Sequence, residues 1–159
     1  MSPESWSAVG GCASAVAAAI SLLITWRGLN FQNETLTETK KRNIQDLLSA
    51  HALRANTSTL GQDASQWSFS QFANVMFAID SARKIVNSLN EKSGISQSDA
   101  REYFINQLEH QIISALNNNC PPDGAFQPKG TIQEAIKVVQ LWNPNAHFLG
   151  FTHVNFIIS

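Results

Sequence analysis

The sequence predicts an all-α protein: an N-terminal transmembrane helix continuing into a stalk helix, then a small bundle of three to four helices with an apolar C-terminal tail. Three observations point there. Residues 6–26 form an uncharged run bounded by Trp6 and Trp26. Residues 27–56 contain no proline, and their only glycine is Gly28. From Ser68 onward, apolar residues recur at steps of three and four, separated by clusters of Gly, Pro, Asn and Ser.

In the first run, a rise of about 1.5 Å per residue puts the two tryptophans roughly 30 Å apart, the thickness of the hydrocarbon core of a bilayer. Indole rings favour the membrane–water boundary, and Trp6 and Trp26 supply one at each end, with Arg27 just beyond. Val9, Val16, Ile20, Leu22, Leu23 and Ile24 each favour insertion by about 0.3–0.6 kcal/mol, while Gly10, Gly11, three serines and Thr25 oppose it. A buried helix in a soluble assembly is the competing reading. A cleaved signal peptide fits worse. Met1–Glu4 is acidic where a basic stretch is needed, and the run ends in Thr25-Trp26-Arg27 rather than at a small-residue cleavage site.

Small residues recur within the run at Ser7, Gly11, Ala15 and Ala19. This spacing lets a second helix backbone approach closely and predicts self-association in the membrane, although a segment so rich in Ala and Gly also produces it by chance. Gly10, Ser14 and Ala18 form a parallel stripe. Only Glu4 carries charge before the run, whereas Arg27, Lys40, Lys41 and Arg42 follow it. Basic residues stay on the cytoplasmic side, so the expected topology is a single pass of the inner (plasma) membrane, N-terminus out. The expected divisions are a short outer N-terminus at 1–5, the span at 6–26, a stalk helix at 27–60 and a cytoplasmic helical domain at 61–159. The Lys40–Arg42 cluster either touches anionic lipid or is a solvated helix face, the latter being favoured.

In the stalk, Leu29, Leu36, Ile44, Leu47, Leu48 and Leu53 suggest an apolar stripe, with Gly28 as a candidate hinge and residues 57–61 as the end. A second helix opens on Ser68 with Gln71 three residues later, a capping box, and Gly94 marks its end. Phe72, Val75, Met76, Ile79, Ala82, Val86 and Leu89 form its inner face. Such a stripe is far more often core than ligand site. A third helix from Ser96 or Ser98 carries Tyr103, Phe104, Leu108, Ile112, Ala115 and Leu116. Residues 117–124 read as a loop that runs on through Pro128 and Gly130. Thr131 and Glu134 form another capping box for a shorter helix, which Asn143-Pro144 is expected to stop.

The stretch from His147 to Ser159 is apolar, aromatic and uncharged. Chain ends are normally polar and loose. Phe148, Phe151, Phe156 and Ile157 therefore predict a strand-like or short helical cap that packs back on the core, or else a segment that docks on a partner or bilayer.

Charge after the span is balanced, eleven basic against eleven acidic residues, which argues against a nucleic-acid surface. Cys12 and Cys120 are expected as free thiols. The tripeptides at Asn33 and Asn56 match a glycosylation acceptor but carry no meaning on a cytoplasmic face. The sequence holds no glycine-rich phosphate loop and no nucleophile elbow. Glu109-His110 with Cys120 lacks the further ligands that zinc needs. Asp80, Arg83 and Lys84 predict a surface salt bridge. No catalytic, cofactor or metal residues are assigned.

Ser5-Trp6-Ser7-Ala8-Val9-Gly10, the following Ala/Ile/Leu run and Gln32-Asn33-Glu34-Thr35-Leu36 resemble the start of certain small bacterial single-span proteins. The resemblance covers residues 5–55. It implies a helical cytoplasmic domain and, since some such proteins are associated with phage abortive infection, a place in antiviral defence. It carries over no functional residues.

The expected function is therefore a membrane-anchored, non-enzymatic interaction protein of bacterial anti-phage defence or stress. Its expected partners are the lipid bilayer and either further copies of itself or another protein. The alternative is a membrane-disrupting effector, a toxin that oligomerises through the small-residue stripe and is restrained by a partner.

Overall fold

The computed structural model describes the backbone of residues 3–118, 121–122 and 132–151, and side chains within these from residue 21 onward, except those of residues 23, 24 and 132. The described residues form six α-helices and contain no strand. They are α1 (Pro3–Thr59), α2 (Phe69–Asn87), α3 (Gln97–Ile105), α4 (His110–Asn117), α5 (Ile132–Gln140) and α6 (Trp142–Phe148), with 3-10 turns at Ala64–Gln66 and Glu91–Ser93.

The chain divides into two compact units, residues 1–39 and 40–159. The first unit is helix α1 up to Thr39. Helix α1 continues through Gly28 without a break. Among the described residues no helix is long and apolar enough to cross a membrane. The run that predicts a span, 6–26, lies for the most part outside the described side chains.

In the second unit the core is built around α2, which packs against α3, α5 and α6. Its start is the expected capping box. The Ser68 hydroxyl accepts from the Gln71 amide and the Gln71 side chain accepts from the Ser68 N–H, so two first-turn donors find partners locally. Phe72, Val75, Met76, Ile79, Ala82 and Val86 are buried, as the periodicity requires. The helix ends at Asn87, earlier than expected; Gly94, at φ 74°, instead closes the 3-10 turn that follows.

Residues 40–59 of α1 belong to this unit through only part of the expected stripe. Leu47 and Leu53 are exposed, while Leu48, Ala52 and Ala55 are buried with Thr59, and Ile44 packs beside them.

The expected third helix is two helices. Asn56 of α1 holds the break open: its amide donates to the Gln107 carbonyl at 2.8 Å and its side-chain oxygen accepts from the Glu109 N–H at 3.0 Å. A carbonyl and an amide that a continuous helix would pair internally are satisfied from another element.

Asn143-Pro144 does not stop the last helices. Pro144 is the third residue of α6, where its missing N–H costs nothing because first-turn N–H groups lack intrahelical acceptors. The next residue, Asn145, is fully buried and donates to the Met76 carbonyl at 2.9 Å, which ties α6 to the middle of α2. Trp142 stands beside Phe72 with ring centroids 5.9 Å apart. Helix α6 ends in a Schellman motif: the Phe151 N–H donates to Ala146 and the Gly150 N–H to His147. Gly150 takes φ 93°, a conformation that side chains resist.

Candidate functional site

Residues 21–39 of the first unit present a row of uncovered apolar side chains. Leu22 is 71% exposed, Trp26 62%, Leu29 54% and Leu36 58%, with Phe31 also exposed. Leu22, Trp26, Leu29, Asn33 and Leu36 follow one another at alternating steps of four and three. That is the spacing of a coiled-coil seam, with one polar residue in its middle. The flanking positions Thr25, Asn30, Gln32, Thr37 and Thr39 are uncharged, so no like-charge repulsion opposes a second helix there. Thr25, Thr35, Thr37 and Thr39 each return their hydroxyl to the carbonyl four residues back, at 2.8–2.9 Å. Their donors are thereby satisfied within the helix, and a neighbour that covers them strands none.

Of the residues predicted from sequence, Trp26 and Arg27 lie exposed on α1. The side chains of Trp6, Ser7, Gly11, Ala15 and Ala19 lie outside the described residues. The small-residue stripe at Ser7, Gly11, Ala15 and Ala19 does not reach this seam, whose signal in the sequence is a 3.5-residue apolar period that continues past Trp26.

The C-terminal residues separate. Phe148 is 7% exposed and faces Phe104 with ring centroids 6.0 Å apart, and Phe151 packs on the edge of the same core. Phe156 and Ile157 lie outside the described residues.

Charge chemistry is sparse. The expected ion pairs of Asp80 with Arg83 and Lys84 form, but the carboxylate is buried rather than at the surface, its side chain being only 7% exposed. Burial pushes its carboxyl upward, but hydrogen bonds and charge from Lys84, at 2.8 Å, and from Arg83 outweigh this and hold it below the ordinary value. His51 is lowered by burial and by the Arg54 charge. The Glu109 carboxylate accepts from the Thr59 hydroxyl and the Gln111 amide, a structural role at the start of α4. Among the described residues no group of three His, Cys, Asp or Glu is arranged to hold a metal ion.

No family model matches the chain, and neither a curated protein nor a solved structure matches it.

Proposed function

We propose that the chain is a membrane-anchored, non-enzymatic interaction protein that self-associates through α1. The observation that carries this is the exposed seam Leu22–Trp26–Leu29–Leu36, which begins inside the uncharged run 6–26 and extends past it to Leu36. Leu29 and Leu36 lie beyond the run, where an apolar face left in water is unfavourable by about 25 cal/mol per Å² and calls for a cover. A second copy of the same helix suits it, because Asn33 would meet its own counterpart, and a single polar seam residue of this kind selects register and helix number. The lysines and arginine at 40–42 support a cytoplasmic second unit. A role in bacterial anti-phage defence or stress rests on the resemblance of residues 5–55.

The full chain, expressed in bacteria, should stay in the membrane pellet through high salt and alkaline carbonate and leave it only with detergent. In detergent it should cross-link as an oligomer, and Leu29→Glu with Leu36→Glu should reduce it to monomer while it remains in the membrane. Release by carbonate would overturn the anchor. An unchanged oligomer in the double variant would overturn the seam.

A further inference from the structure

The second unit contains a cleft of about 600 Å³ between α2, the start of α3 and α6. Arg83, Arg101 and His147 line it, one from each of the three helices, with Gln97 and Ser98 from the first turn of α3 and Phe148 from its inner wall. No carboxylate is among the lining residues. Arg83 is held in place by Asp80, and its Nε is buried without a hydrogen-bond partner. Arg101 has neither an ion pair nor a hydrogen bond among the described residues.

We propose that this cleft binds a small soluble phosphate monoester with a ring-bearing or apolar alcohol portion. Two guanidinium groups and an imidazole come from three different helices, with the Ser98 hydroxyl beside them, a donor set that suits a tetrahedral dianion with three free oxygens better than a planar carboxylate. Gln97 and Ser98 belong to the first turn of α3, a helix of nine residues, and that end carries partial positive charge. Arg83 is set before the ligand arrives, because Asp80 fixes its guanidinium, and Arg101 supplies the uncompensated charge. The volume falls in the range of small-molecule sites, about 300–1,000 Å³, and exceeds what a bare phosphate fills. Val86, Pro144 and Phe148 offer the remaining wall to an apolar group. None of this depends on how α1 is anchored or paired.

The test is calorimetric titration of the purified full chain in mild detergent with phenyl phosphate and adenosine monophosphate, and with inorganic phosphate, phenol and adenosine as controls. At least one monoester should bind at least tenfold tighter than phosphate and than its own alcohol. Arg101→Gln, a change at an exposed side chain, should weaken that binding at least tenfold while circular dichroism stays unchanged, and His147→Gln should weaken it less. The proposal is overturned if neither monoester binds, if phosphate binds as tightly as both, or if Arg101→Gln binds like the parent. Binding of a soluble short-chain phosphatidic acid without either monoester would also overturn it, and would point to a lipid headgroup.

Discussion

Replacing Phe148 with alanine tests whether the end of α6 is core. The ring is 7% exposed and sits 6.0 Å from Phe104, itself fully buried. Removing a buried phenyl ring costs about 3–5 kcal/mol from lost burial and the cavity left behind. The tilted ring pair accounts for about 0.5–1.5 kcal/mol of that. Against a total stability of about 5–15 kcal/mol the loss is large. For a unit the size of residues 40–159 it corresponds to a fall in Tm on the order of 10–25 °C. Tryptophan fluorescence of the full chain is a suitable assay, because Trp67 and Trp142 are buried in that unit and report its melting. Ile136→Ala, on the exposed side of α5, is the control and should change stability by no more than about 0.5 kcal/mol. A Phe148→Ala protein that melts within a few degrees of its parent would refute the reasoning and return the segment to a partner-docking role.

Two further perturbations address the polar contacts. Asn56→Ala removes both hydrogen bonds at the α3–α4 break and should cost about 1–3 kcal/mol by denaturant titration, with faster hydrogen exchange at the Glu109 amide; no change in either would show that the break stands without Asn56. Asp80, held below its ordinary value by Lys84 and Arg83, adds stability that is complete above its unfolded value near 3.9 and is lost as pH falls through the lower folded value. Asp80→Asn should therefore flatten the acid limb of the stability curve below about pH 4, and an acid limb identical to the parent's would contradict the assigned ion pairs.

The sequence by itself determined the helical class and two capped helix starts, because those signals act over three to five residues. Ser68 with Gln71 and Ser96 with the Asp99 amide need nothing from elsewhere in the chain. The 3.5-residue spacing from Leu22 to Leu36 was equally legible, but that it stands uncovered is a property of the folded chain. Residues 97–117 contain no proline or glycine and keep helical spacing throughout. Only Asn56, fifty residues away, decides that they break in two. Which side of α1 is buried is likewise set by the fold, which covers Leu48, Ala52 and Ala55 and leaves Leu47 and Leu53 exposed. Pro144 reads as a stop in isolation and becomes a first-turn residue once Asn145 is drawn into the core by the Met76 carbonyl. Arg83, Arg101 and His147 share a cleft for the same reason: side chains far apart in sequence meet only where the packing of α2, α3 and α6 brings them together.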